Sequence, residues 1–469
     1  MRARLLLLAA ALVAFGASLG SGFHFDDYAI FSDASLQSAR GWLEIWSLRQ
    51  TRPLTYLSFW LNGRDPAAMH AVNLLLHLAA VLLAYECLRR LVGDRAGLAA
   101  AAIFAVHPLQ AEAVDYIWGR SIVLAAAFCF ASLLSWLTGR RWVAVAWFAA
   151  ALLAKEEAAA FPLVLWWLDG RRDRGKIAAM LALSLAAGLR VIYAIAVTPG
   201  APAGVQAGIT PWHYFVAQGA VLWRYLRLLV AAYGFTVDPQ IAAPPAALGL
   251  AGWAAIAVGV ALMARRFEKA GFWMAAGFVL LLPSSSIFPA ADLAADRRMY
   301  LPMFAFAAAA ALLLERVKWR WAPAAVVAAL AAVSVARTQV WMSDERLWRE
   351  AVERAPDKVR PKVQLSRNVA PAEALTLLAE ARRLAPNDPA VAAETGKVLL
   401  AAGRPAEALA EFGRALALAP RDAGNFNNRG VALAALGQSA AARQDFERAL
   451  ALDPSLAGAR ENLRKLEGR

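Results

Sequence analysis

Cysteine is almost absent. Cys87 and Cys129 are the only two in 469 residues, and both fall inside apolar runs. That excludes a disulfide framework and a cysteine-based metal site, and it leaves the redox compartment unread. Charge is scarce too: Asp, Glu, Lys and Arg make up 18% of the chain against 60% hydrophobic residues, and mean hydropathy is +0.47. Such a balance excludes an ordinary soluble domain.

What the chain has instead is a succession of apolar runs of roughly 16 to 22 residues, each long enough to cross a hydrocarbon core of about 30 Å. The first, MRAR followed by LLLLAAALVAFGASLG, also has the make-up of a secretory signal peptide. With many further spans behind it, an uncleaved first helix is the simpler account.

The net charge of +14 invites a nucleic-acid reading, but its placement argues otherwise. Arg2 and Arg4 precede the first run, Arg89, Arg90 and Arg95 follow the second, and Arg140 and Arg141 the fourth. Arg171, Arg172, Arg174 and Lys176, then Arg265, Arg266 and Lys269, then Arg316, Lys318 and Arg320 complete the series. Clusters on alternate short loops are the positive-inside pattern, so the basicity reports topology and no nucleic-acid partner is expected. With the clusters in the cytoplasm, about eleven spans result, near 4–21, 70–91, 96–108, 121–138, 142–154, 157–169, 177–197, 246–264, 271–284, 299–314 and 321–338. The stretch 212–230 carries Arg224 and Arg227 among Trp212, Tyr214, Trp223 and Tyr225, and is expected to lie in the outer interface as an amphipathic helix.

Past the last span the chain repeats. Pro386, Pro420 and Pro454 recur every 34 residues, and Gly403 with Gly437, Ala408 with Ala442 and Phe412 with Phe446 keep the same interval. Several residue types sharing this period mark tetratricopeptide helix pairs, which stack into a solenoid with a concave docking surface. An irregular repeat, 344–385, joins it to the membrane part. The expected organisation is all-α: a membrane domain over 1–340 and a repeat domain over 341–469 on the outer face.

On this topology carboxylates and cations collect at the outer boundary. Asp26 and Asp27 in FHFDDYAIF follow the first span, and either can take a proton from a hydroxyl or carry a divalent cation such as Mg or Mn. Arg52, Arg120, Lys155, Arg297 and Arg298 fall on the same side, and cations of this kind hold phosphates. Isolated loop acids are usually just solvated; the cations are what change that reading. His70, Asn73 and His77 share one helical face, where they either bond a sugar hydroxyl or form a buried polar network, and they do not make a metal site. His107 shapes a turn before Pro108, and Glu112 and Asp115 share a face beyond it.

The order FHFDD, RPLTYLSF, HAVNLLLH, FAVHPLQAEAVDYIWGRS, AKEE, LPSSSIFPAADLAADRRMYLP and then tetratricopeptides resembles the transmembrane and tetratricopeptide-repeat-containing O-mannosyltransferases and their bacterial relatives. The resemblance covers nearly the whole chain. It implies a GT-C-type glycosyltransferase fold, a polyprenyl-phosphate-linked sugar as donor, and an acid in the first outer loop. By motif it carries Asp26 and Asp27 over as that acid, His107, Glu112 and Arg120 from the HP…EAV…GR stretch, and Lys155 and Glu156 from the KE pair. The family's AERxLYLPS is ADRRMYLPM here, so Arg297 and Tyr300 match while Asp296 replaces Glu and PSSS stands where an Asn is usual.

The resemblance thus implies an inverting transfer from a polyprenyl-phosphate sugar to a hydroxyl of an exported protein bound by the repeats, with Arg120, Lys155 and Arg297 steadying the departing phosphate. Alternatives are a same-fold enzyme acting on a lipid or glycan, a lipid-sugar transporter, and a scaffold. A transporter predicts ionisable groups at mid-membrane and two related halves, neither of which the sequence displays. Ala-, Arg- and Leu-heavy usage suggests a bacterium, and hence an inner-membrane protein whose outer face is periplasmic.

Overall fold

In a computed structural model, residues 1–468 are described except 34, 35, 37, 39, 170–172, 199–207, 242 and 291, together with the side chains of 29, 31 and 32. Arg171 and Arg172 therefore lie outside the described residues. The chain divides into two compact units, Met1–Ser343 and Asp344–Arg469, and the regular elements of both are helical.

The membrane unit is built around Tyr300–Leu314 and Arg120–Leu137. Both are alanine-rich and buried on nearly every side, and small residues let neighbouring backbones approach. Phe304 stacks on Phe130 at 4.9 Å between ring centroids, and Phe104 meets Phe130 edge-on at 5.5 Å. Gly277 lies so close to Phe306 that a Cβ there would stand 2.4 Å from the ring. At the other extreme Arg174–Ala196 and Ala246–Arg266 expose Leu185, Leu189, Val258 and Leu262, apolar surface suited to lipid rather than water.

Among the described residues seven helices are long and apolar enough to cross a bilayer, or eight if Asp94–Val106 and Pro108–Val114, bent by 49°, count as one broken span. This is fewer than the eleven expected, and the reason is length. Arg141–Ala154 and Glu268–Leu281 have 14 residues each and Phe161–Asp169 has nine, which at about 1.5 Å per residue falls short of about 30 Å. Apolar composition marks such helices in the sequence; it does not set where they stop.

Pro211–Ala231, the segment expected in the interface, is not among the seven. It starts at Thr210, whose Oγ1 accepts the His213 N–H, and ends at Ala232 in the left-handed conformation, φ 49°. One face packs on Ala246–Arg266 through glycines, and a Cβ on Gly219 would stand 2.0 Å from the Gly249 carbonyl. The same helix anchors the loop 284–296: the Tyr214 hydroxyl donates to Ser284 O at 2.7 Å, Gln218 to Leu293 O at 2.9 Å, and Arg224 pairs with Asp296. Trp212 and Trp223 remain exposed on the other face.

In the second unit the 34-residue period acquires a physical cause. Gly396 and Gly430 each make room for a ring, Phe412 and Phe446, that would lie 2.6 Å from any Cβ. Gly403 and Gly437, at φ +72° and +77°, turn the chain between paired helices. Asp388 and Asp422 cap the first helix of successive pairs, accepting N–H groups of Ala390 and Asn425.

Candidate active site

A cavity of about 470 Å³ opens among the ends of several membrane-unit helices, and the charged residues of distant sequence motifs line it together. Asp26 comes from the loop after the first span, Arg52 precedes Pro53–Asn62, and Lys155, Glu156 and Glu157 occupy the break between Arg141–Ala154 and Phe161–Asp169. Arg297 and Arg298 come from the single 3-10 turn, Asp296–Met299, that starts the central helix. Val191, Ile192 and Phe288 supply an apolar wall.

Adjacent Asp26 and Asp27 have opposite environments. Asp26 is exposed to the cavity. Asp27 is fully buried, its Oδ2 accepting the His24 N–H at 3.0 Å and its Oδ1 the Trp118 N–H at 2.9 Å. Asp27 thereby ties the first loop to the turn 117–119. Burial pushes its carboxyl up to about 7, although the two N–H donors oppose the shift.

Each cation of the cavity is held by a partner that sets its aim. Arg52 forms a fork with Glu156, Nε to Oε2 at 3.0 Å and Nη2 to Oε1 at 2.6 Å. Burial works against charge on Glu156, yet the Arg52 guanidinium holds its carboxyl down to about 2. The Lys155 ammonium reaches Glu157 at 3.0 Å; burial brings it down to about 8, with Glu157 resisting and Arg52 and Arg297 adding to the shift. Arg297 is gripped by Glu112, whose Oε2 accepts its backbone N–H at 3.0 Å and whose Oε1 pairs with the guanidinium. Arg298 donates to the Tyr214 hydroxyl and to the carbonyls of Leu293 and Asp292, at 3.2, 3.1 and 2.8 Å.

Other residues singled out in the sequence stand elsewhere. Arg120, expected at the phosphate, is fully buried and spends its guanidinium on Asn73 Oδ1, Asn62 Oδ1, Ser58 O and Met69 O, over the ring of Phe59 at 4.6 Å. It is not among the residues that line the cavity, because its partners lie on Pro53–Asn62 and Pro66–Val92. Asn73 accepts from Arg120 and donates to Tyr116 O at 3.0 Å. His70 Nε2 donates to Gly22 O at 3.0 Å, pinning the chain just before Asp26. His77 Nε2 donates to Ala105 O, leaving Nδ1 to accept the Tyr300 hydroxyl at 2.7 Å; Tyr300 thus points into the core. His107 Nδ1 accepts the Leu109 N–H and its Nε2 donates to Leu229 O, which shapes the bend after Val106. Among the described residues no three His, Cys, Asp or Glu side chains converge to hold a metal ion, and Glu156 and Glu157 are already paired with cations. The donor set does not fit a divalent cation.

Sequence reasoning missed Glu157, which only its place beside Glu156 could have suggested, and Tyr214, which stood out merely as an interfacial aromatic.

Residues 423–456 match the tetratricopeptide repeat model. The chain is 36% identical over 145 residues to protein O-mannosyl-transferase Tmtc2 of Drosophila melanogaster, covering 27% of this chain and 16% of the relative. It is 36% identical over 158 residues to human protein O-mannosyl-transferase TMTC1 (29% and 18%) and 31% identical over 202 residues to human TMTC4 (33% and 27%). The matches thus span well under two thirds of those relatives' own lengths. Among solved structures, ArnT from Cupriavidus metallidurans bound to undecaprenyl phosphate aligns at 13% identity with a TM-score of 0.40, covering 94% of this chain and 79% of that one. Over 27–33% of its length, then, the chain is similar to the protein O-mannosyl-transferases Tmtc2, TMTC1 and TMTC4.

Proposed function

We propose that this protein is a membrane glycosyltransferase of the GT-C type that moves a sugar from a polyprenyl-phosphate donor to a hydroxyl of an exported protein, inverting the anomeric centre. The observation that carries the reading is the cavity itself: Asp26 faces a space ringed by Arg52, Lys155, Arg297 and Arg298, with Glu156, Glu157 and Asp292 beside those cations. The curated relatives are named protein O-mannosyl-transferases, and the solved neighbour is titled as bound to undecaprenyl phosphate.

In this reading the donor phosphate rests among the cations while its lipid stays in the bilayer. Asp26 accepts the proton of the acceptor hydroxyl. The acceptor oxygen then bonds to the anomeric carbon from the face opposite the phosphate, and the bond from that carbon to the phosphate oxygen breaks with its electron pair. Arg297, Arg298 and Lys155 stabilise the charge that gathers on the departing phosphate, a contribution worth most in a site shielded from water. Glu112, Tyr214 and Glu157 keep those cations aimed, so little reorganisation is needed at the moment of transfer. Asp27 fixes the loop and takes no proton from substrate. The repeat unit binds the acceptor chain, and the cavity opens on the periplasmic side of the inner membrane.

The test supplies purified protein with radiolabelled polyprenyl-phosphate sugars and a host extract. Label reaching a protein band with wild type and not with Asp26→Asn supports the reading. Label on lipid or glycan alone overturns the acceptor, and no transfer from any donor by folded protein overturns the reading.

A further inference from the structure

Tyr116 lies in the turn between Ala111–Val114 and Ile117–Gly119 and is fully buried; its hydroxyl completes no hydrogen bond of strict geometry, and the Asp26 carboxylate is the side-chain acceptor that acts on it. Its ring is closely held. Phe25, the residue before Asp26, packs on it at 4.7 Å between centroids and 34° between planes. Trp341, fully buried at the end of the last span, stacks on it at 5.7 Å and 25°. The backbone is held as well: Asn73 donates to Tyr116 O, and the Ser21 hydroxyl donates to Trp341 O at 2.9 Å. The charges acting on the phenol are those of Asp27, Asp26 and Arg297, and of these Asp26 and Arg297 line the cavity.

Phenylalanine would fill this ring position equally well and would leave no buried hydroxyl unsatisfied. A phenol kept protonated by burial, next to carboxylates, can only donate to them. The acid within its reach that is free to turn is Asp26, since Asp27 already accepts two backbone N–H groups. We propose that Tyr116 is a positioning residue for the acid of this site: its hydroxyl donates to the Asp26 carboxylate and turns it toward the acceptor, while Phe25 and Trp341 hold the phenol ring for that task. The inference rests on the reading that Asp26 is the acid at work.

Tyr116→Phe keeps the ring and removes the donor. The expected result is a fall in kcat of about tenfold, the equivalent of one lost charge-assisted hydrogen bond, with donor KM and melting temperature unchanged. Trp341→Ala, which frees the ring, lowers kcat likewise, and Trp341→Phe restores most of it. A second readout needs no turnover. The Asp26 carboxylate stretch, taken from the infrared difference between wild type and Asp26→Asn, shifts in Tyr116→Phe and Trp341→Ala but not in Trp341→Phe. An unchanged stretch in Tyr116→Phe overturns the inference, whatever happens to kcat. A shifted stretch in a protein that transfers no sugar overturns the functional reading and leaves the hydrogen bond standing.

Discussion

The Glu112 carboxylate holds Arg297 at two points, one oxygen on its backbone N–H at 3.0 Å and the other on its guanidinium. One side chain thus fixes both where the 3-10 turn begins and where its arginine points. Glu112→Gln keeps the backbone contact and loses the ion pair. We expect kcat/KM to fall tenfold to a hundredfold, mainly through a higher donor KM, and titration with donor at fixed acceptor measures it.

Asp26 and Asp27 separate by experiment. Asp26→Asn is expected to lose at least a hundredfold in transfer with its melting temperature intact, the scale of losing a general base. Asp27→Asn is expected to lower the melting temperature at pH 4, because an amide accepts only one of the two N–H groups that the carboxyl receives.

The pH dependence of that second variant carries a sign. The Asp27 carboxyl stands at about 7 in the folded chain, against 3.8 ordinarily, through burial. Between about pH 4 and 7 the unfolded chain gives up this proton and the folded chain keeps it, so stability falls as pH rises across that window. His24 and Asp26 are the charges that face it, pulling in opposite directions. Asn cannot titrate. The gap in melting temperature between wild type and Asp27→Asn should therefore narrow from pH 4 to 7, and a constant gap in detergent would show that the residue is ionised throughout.

Arg120 is expected to matter for folding and not for donor binding. Arg120→Met strands Asn73, Asn62 and two carbonyls in the interior, at a cost of about 3 kcal/mol. Thermal unfolding should drop while donor KM in the surviving protein stays as in wild type.

Gly219→Ala forces two helices apart at the Gly249 carbonyl, whereas Gly259→Ala on Ala246–Arg266 meets open space. The first should cost about 1–3 kcal/mol, as overpacking does, and the second nothing measurable by the same melt.

Much of this was open to reading in the sequence, and the limits have physical causes. The solenoid shows itself because Gly430 and Phe446 must recur together wherever two helices pack this closely. Asp26, Arg52, Lys155, Glu156, Arg297 and Arg298 were legible as chemistry, since charges beside apolar runs need a reason to be there, and the fold brings all six to one cavity. Arg120 misled because a guanidinium that binds carbonyls and one that binds phosphate look alike in one dimension. Tyr116 and Trp341 passed unnoticed because an aromatic near a span end has the same signature in a bilayer interface as beside a catalytic loop. Span number went astray for a different reason: hydropathy measures composition, whereas the bend at His107 and the short helices around Lys155 depend on who hydrogen-bonds to whom.

The glycine crossing between Pro211–Ala231 and Ala246–Arg266 has a consequence for how the protein is made. The earlier segment carries His213, Arg224 and Arg227 and is too polar to settle in lipid by itself. Its seat is offered by Gly249 and Gly252, which the ribosome delivers only afterwards. Synthesis therefore runs ahead of assembly here: the Asp26 loop emerges first, and the wall that aims Arg298 through Tyr214 is completed only when later chain arrives. A nascent chain cut short before the 3-10 turn holds the acid and only Arg52 and Lys155 of the four cations, so the site is completed late in synthesis.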